Sequence, residues 1–212
     1  MENKEKKKTK VDIILPNFNS SEFIIETVKS IVNQSFTNWK LTIVDDNSNK
    51  KTKKILKEFL KNKKIKIYWL KKNQGAGYCR NYAIKKTNAP YVAFVDSDDL
   101  WKKNKLKNQI SFMEKNNYYF TYTCYEAFGK KNKLIIPPLK FNYSNFTHNT
   151  SIATSTMMVK RKVIKNIRFT NTNICEDYYF KCKLLKKVKY AYCLNKILTK
   201  YRIRKNSLQS NN

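Results

Sequence analysis

The chain has 212 residues, 41% of them hydrophobic and 14% aromatic, which is enough apolar material for one folded domain and excludes a disordered chain. Its 45 basic against 15 acidic residues give a net charge of +30. The lysines run evenly along the sequence, so this charge alone does not separate a nucleic-acid or anionic-membrane partner from a simple bias toward AT-rich codons.

Five cysteines (Cys79, Cys124, Cys175, Cys182 and Cys193) form no C-x-x-C pair and are odd in number, which points to reduced thiols in a cytoplasmic protein. Residues 1–10 form a basic tail without the apolar stretch of a secretion signal. No apolar run approaches the roughly 20 residues of a spanning helix, so the expected protein is soluble or peripheral at a membrane.

Val11–Leu15 reads as a buried strand ending at Pro16. Ser20–Ser21, followed by Glu22 and Glu26, reads as a capped helix start, with Phe23, Ile24, Val28, Ile31 and Val32 at helical spacing. Leu41–Val44 is a second strand closing at Asp45. Lys50–Leu60 is an amphipathic helix, and Ile65–Leu70 a third strand. Gly75–Lys86 is a glycine-led helix, and Tyr91–Val95 a fourth strand running straight into Asp96.

Repeated strand–helix units predict a Rossmann-like three-layer α/β/α fold on a mostly parallel sheet. Beyond Trp101, Lys105–Lys115 reads as a helix and Tyr118–Phe128 as a strand. Lys133–Ile136 precedes Pro137–Pro138, which reads as a break and a loop over the site. Met157–Val159 is a short strand, Asp177–Lys187 a helix with Phe180, Leu184 and Leu185 inward, and Tyr190–Leu194 a last short strand. The expected organisation is one domain over 11–208, in two halves that meet at about residue 100.

Seven of the fifteen acids fall in three clusters: Asp45–Asp46, Asp96–Ser97–Asp98–Asp99 and Glu176–Asp177. Adjacent like charges are unfavourable unless a cation or hydrogen-bond donors compensate them. The first two clusters, with Pro16–Asn17–Phe18–Asn19, begin where expected strands stop. In an open α/β sheet, that rim is where ligands bind. The G-x-G-x-x-G loop of dinucleotide enzymes and the G-x-x-x-x-G-K-[ST] phosphate loop are both absent. An Asp-x-Asp at the end of a buried strand offers hard oxygen ligands suited to Mg²⁺ or Mn²⁺ together with substrate phosphates.

Pro16-x-x-Asn19, Asp45–Asp46–Asn47–Ser48, Asn73–Gln74–Gly75 with Arg80–Asn81, Asp96–Ser97–Asp98–Asp99, Glu176–Asp177 and Tyr201–Arg202 before Ser207–Leu208 follow one another in order. In this series the chain resembles family-2 glycosyltransferases of the GT-A fold, from about Val11 to Leu208, which implies a nucleotide-binding half up to about residue 100 and an acceptor half beyond it. The resemblance implies an inverting, metal-dependent enzyme moving one sugar from a nucleotide-diphosphate donor, UDP-linked by default, to a glycan or lipid-linked glycan in cell-surface polysaccharide synthesis.

It further implies that Asp45 contacts the base, that Pro16, Asn19 and Glu22 shape the nucleoside wall, and that Arg80 pairs with phosphates or organises the carboxylates. Asp96 would hold the ribose, Asp98 the metal, and Asp177 would act as general base. Asp99 would support the turn, Arg202 would contact substrate, and Thr154–Ser155–Thr156 would lie near the acceptor. Tyr201–Arg202 departs from the Q-x-x-R-W signature of processive members, which favours single-sugar transfer. The lone His148 carries no role. The rival readings are a non-catalytic glycan binder and a nucleic-acid-binding protein, the second disfavoured by the acidic rim.

Overall fold

The computed structural model describes residues 9–172 and 175–204. The first eight residues of the basic tail and the Ser207–Leu208 motif lie outside them.

Four parallel strands build the first half: β1 (Val11–Asn17), β2 (Trp39–Asp45), β3 (Ile65–Trp69) and β4 (Tyr91–Phe94). Helices α1 (Ile24–Val32), α2 (Lys50–Phe59) and α3 (Ala76–Lys85) connect them. The sheet order β3-β2-β1-β4 places β2 and β4 on opposite sides of β1, so the chain reverses direction across the sheet between them. A crevice at such a switch point is the usual ligand site of an open α/β sheet.

Two local expectations change. Strand β1 does not stop at Pro16; it continues to Asn17, paired with Asp45 of β2. Proline removes a backbone donor, but β4 accompanies β1 only as far as Ile14 opposite Phe94, so no ladder partner on that side is left unmet. The hydroxyl of Ser20 does not cap α1: it donates to the Asn17 side chain, and no side chain caps that helix.

The second half contains β5 (Leu100–Trp101), α4 (Lys105–Lys115), β6 (Phe120–Gly129), β7 (Lys133–Ile135) and β8 (Lys140–Phe141). Then come α5 (Tyr143–His148), a 3₁₀ turn at Thr154–Thr156, β9 (Met158–Lys160), α6 (Arg161–Ile164), α7 (Glu176–Lys187) and β10 (Ala191–Ile203). The sheet continues β4-β9-β6-β10-β5. Its long registers are parallel, including β6 with β10, whereas each antiparallel pairing spans only two or three residue pairs.

The last strand is far longer than Tyr190–Leu194, because two register shifts between Leu194 and Thr199 let it carry on to Ile203. Lys133–Ile135 is a strand on β6 that ends before Pro137–Pro138, and the Tyr122 hydroxyl holds the Pro138 carbonyl at 2.5 Å.

Alternation along the strands fills both faces. Val11, Ile13, Leu15, Leu41, Ile43 and Ala93 face α1, α2 and α4 through Ile24, Val28, Leu56, Leu106 and Ile110. Ile14, Val44, Val92 and Phe94 face α3 and α7 through Cys79, Ala83, Phe180 and Leu184. Burying each such side chain stabilises the fold by about 1.5–3 kcal/mol. The three-layer α/β/α sandwich is therefore as expected.

Candidate active site

The carboxyl ends of β1, β2 and β4 form one rim. There Asp45 is fully buried, its Oδ1 accepting from Asn17 Nδ2 at 2.8 Å and its Oδ2 from the Ser48 backbone at 3.1 Å. Ser48 Oγ accepts from the backbone of Asn19 at 2.9 Å, and Asn19 Oδ1 accepts from the backbone of Asn49 at the start of α2. Both Asn19 and Asn47 have positive φ, a conformation asparagine tolerates better than most residues. Asp45 thus ties the Asn17–Asn19 and Ser48–Asn49 segments together from beneath.

Its neighbour Asp46 clamps the loop before α3, accepting from the backbones of Gln74 at 2.7 Å and Gly75 at 2.8 Å. Gly75 sits at φ 86°, where a side chain would be strained, and opens α3. Two residues on, a Cβ on Gly77 would meet the Thr170 carbonyl at 2.6 Å. Glycine there lets α3 lie close against the Thr170 segment and Glu176.

That approach places Arg80. Its buried guanidinium donates Nη1 to Glu176 at 2.8 Å and Nη2 to Asp96 at 2.7 Å, and lies 5.2 Å from the Phe169 ring. Burial opposes its charge, but Asp96, Glu176 and Asp177 outweigh burial and raise its pKa above the ordinary arginine value. Its Nε has no partner.

The turn after β4 is held from two sides. Ser155 Oγ accepts from the Asp96 backbone at 3.0 Å and donates to Asp99 Oδ2. The Arg202 backbone donates to Asp99 Oδ1 at 2.8 Å, and Arg202 Nε to the Asp98 carbonyl at 2.9 Å. Burial, then Asp96, lifts Asp98 above its usual carboxylate range, while Arg204, 2.8 Å away, opposes the shift. Burial, Asp96 and Asp98 push Asp99 further up. Asp99 is enclosed and supports the turn, as its position implied.

Across Arg80, Asp177 Oδ2 accepts from Thr154 Oγ1 at 2.8 Å and from Lys181 Nζ at 2.6 Å. Burial opposes ionisation there; the Lys181 ammonium, Arg80 and the Thr154 hydroxyl overcome it and hold the carboxyl well below its ordinary value.

The structure therefore gathers Arg80, Asp96, Asp98, Asp177 and Arg202 in one bonded cluster. Pro16 is buried in β1 opposite Val44, Asn19 is exposed in the loop that follows, and Glu22 is exposed just before α1, outside the bonded set. Arg202 grips the Asp98 turn and pairs with Glu26 at 2.7 Å, so its guanidinium is already engaged within the protein. Thr154 and Ser155, expected near the acceptor, are bonded to the carboxylates themselves. His148 is exposed at the end of α5, its Nδ1 3.0 Å from the Ser144 carbonyl. Lys181 was not foreseen, although its i,i+4 spacing from Asp177 is a readable signal.

Among the described residues no group of three His, Cys, Asp or Glu could hold a metal ion by itself. The donor set still fits a cation held by Asp98 and by substrate phosphates, since the crowding of Asp96, Asp98 and Asp99 is the kind of charge a divalent ion relieves.

Residues 12–182 match the family described as Glycosyl transferase family 2. The chain is 36% identical over 206 residues to the putative teichuronic acid biosynthesis glycosyltransferase TuaG of Bacillus subtilis, across 95% of this chain and 82% of that protein. This chain belongs to glycosyl transferase family 2.

A second relative, the Escherichia coli UDP-Glc:alpha-D-GlcNAc-diphosphoundecaprenol beta-1,3-glucosyltransferase WfgD, is 33% identical over 95% of this chain and 80% of its own length. Among solved structures, S. aureus TarS 1-349 in complex with UDP-GlcNAc superposes with a TM-score of 0.84 at 23% identity, over 96% of this chain and 61% of TarS 1-349. The mannosyltransferase PcManGT of Pyrobaculum calidifontis, in complex with GDP-Man and Mn²⁺, gives 0.75 at 14% identity, over 95% of this chain and 59% of the other. These two likenesses establish the shared GT-A fold.

Proposed function

We propose that this glycosyltransferase moves one sugar, with inversion, from a UDP-linked donor to a hydroxyl of a lipid-linked diphosphate glycan in cell-surface polysaccharide synthesis. The observation that carries this reading is the Arg80 bridge, which sets Asp96 and the Asp98 turn on one side and Glu176–Asp177 on the other. Two opposed carboxylate groups suit a reaction that needs a stabilised leaving group on one side and a proton acceptor on the other. The naming of WfgD for a diphosphoundecaprenol-linked acceptor supports the acceptor class.

In this reading the loops tied by Asp45 and Asn19 form the wall for base and ribose, with Pro16 behind and Glu22 at the edge, and Asp96 faces the ribose. Asp98 would hold a Mg²⁺ or Mn²⁺ ion, which when bound supplies Lewis-acid neutralisation of the charge developing on the leaving diphosphate. The acceptor oxygen bonds to the anomeric carbon as the bond to the β-phosphate oxygen breaks, and the hydroxyl proton passes to Asp177. Thr154 and Lys181 bind Asp177 Oδ2 and keep the carboxylate ionised, so Oδ1 is the atom that takes the proton. Arg202 acts by fixing the Asp98 peptide. The lipid of such an acceptor would bring the reaction to a membrane surface on the cytoplasmic side. No described helix is long and apolar enough to cross a membrane.

A thermal-shift panel of nucleotide sugars, with and without Mn²⁺, tests the donor half. At 100 times its dissociation constant a ligand adds about 2.7 kcal/mol of stability. The expected result is a Mn²⁺-dependent shift lost in Asp98→Ala; a shift unchanged by that substitution would refute the metal assignment.

A further inference from the structure

From Ala127 to Cys175 the sequence contains no acidic residue, while it carries nine lysines and arginines. Within that stretch lie the two most exposed large apolar side chains described, Ile136 at 63% and Leu139 at 66%, with Leu134 at 48% beside them. They surround Pro137–Pro138 and are flanked by Lys130, Lys131, Lys133 and Lys140, all exposed.

The backbone that presents them is fixed. Strand β7 is paired with β6, the Pro138 carbonyl accepts from Tyr122, the Leu139 carbonyl accepts from the Cys193 backbone at 2.8 Å, and β8 is paired with β10. Hydrogen bonds on both sides of the turn thus hold three aliphatic side chains outward in water, where a folded monomer gains nothing from them.

We infer that the 134–139 segment is a docking surface for an anionic lipid bilayer, with Leu134, Ile136 and Leu139 entering the acyl boundary and the flanking lysines meeting the headgroups. An aliphatic tip in a ring of cations is the pattern of interfacial anchors, and the acid opposite Leu134, Glu126, is itself paired with Lys102 and Lys200 at 3.5 Å. A second copy of this chain is disfavoured as occupant, because it would bring a like-charged lysine ring against the first. The inference rests on the lipid-linked acceptor reading only in supplying the surface at which such an acceptor is met. Its readout is sedimentation, not turnover, so either idea can fail while the other stands.

The test is co-sedimentation of the full chain with vesicles of phosphatidylcholine, with and without phosphatidylglycerol, at low and high salt. The wild type is expected to bind the phosphatidylglycerol vesicles, and to lose that binding by more than about 10-fold in Ile136→Asp/Leu139→Asp. Each of Lys131→Gln, Lys133→Gln and Lys140→Gln is expected to weaken binding by roughly fivefold. Thermal melts without ligand report that the variants are folded. Equal binding to purely zwitterionic vesicles, unchanged binding of the aspartate double variant, or concentration-dependent dimerisation abolished by that variant would each overturn the proposal.

Discussion

Thr154 and Asp177 are joined by a 2.8 Å hydrogen bond, and the very next residue, Ser155, is bonded to Asp99 and to the Asp96 backbone. One 3₁₀ turn therefore links the carboxylate proposed as base to the turn proposed to hold the metal. Ser155→Ala should leave Asp99 Oδ2 without this donor in a buried site, destabilising the protein by about 1–3 kcal/mol. Turnover should fall roughly 10–100-fold, as when partners of ligating groups are removed. Steady-state kinetics alongside thermal melts check this; a melt shift with full activity would contradict the link.

Arg80 joins the two halves and is enclosed by them. Arg80→Met should cost about 3–5 kcal/mol, because Asp96 and Glu176 lose their shared cation. Arg80→Lys keeps the charge but cannot reach both carboxylates with one planar fork, so it should recover part of the stability and little of the activity. Denaturant titration of the three proteins orders them, and equal stability of the methionine variant would show the bridge to be unimportant.

Gly77→Ala puts a methyl group within 2.6 Å of the Thr170 carbonyl. The helix or the Thr170 segment must then move, and we expect a loss of about 1–3 kcal/mol together with weaker catalysis, since Glu176 packs on the same glycine. An alanine variant with wild-type melting and kinetics would show that the contact gives way freely.

Lys105 is buried, donates to Gln109 at 2.8 Å and lies 4.3 Å from the Trp101 ring. Burial lowers its pKa to about 7, against roughly 10.4 in an unfolded chain. Between those values the unfolded chain holds a proton that the folded chain does not, so this group makes stability rise with pH across that window and penalises folding below it. Chemical denaturation of wild type and Lys105→Met at pH 6.5, 8 and 9.5 should show a difference favouring methionine at the lowest pH and shrinking as pH rises. A difference constant with pH would contradict the assignment.

Much of this was legible in the residues. The β1 to β4 strands and the α1 to α3 helices follow hydrophobic runs whose period is set by local geometry, and the acids at strand ends mark the rim without any tertiary knowledge. What escaped depends on contacts far apart in sequence. The length of β10 is set by pairing with β6 and by irregular registers, which no local pattern encodes. Ser20 has a capping residue's chemistry, but the nearby Asn17 side-chain oxygen takes its hydroxyl hydrogen. The bonds of Thr154 to Asp177 and of Ser155 to Asp99 span 23 and 56 positions and leave no mark in the local sequence.

The most direct measurement is transfer of labelled sugar from UDP-sugars to a lipid-linked diphosphate acceptor by wild type and Asp177→Asn, with donor binding followed in parallel. Wild type should transfer, and Asp177→Asn should bind donor normally while turning over about 10²–10⁴-fold more slowly. Undiminished transfer by Asp177→Asn would contradict the assignment of the proton acceptor and, with it, the two-sided site built around Arg80.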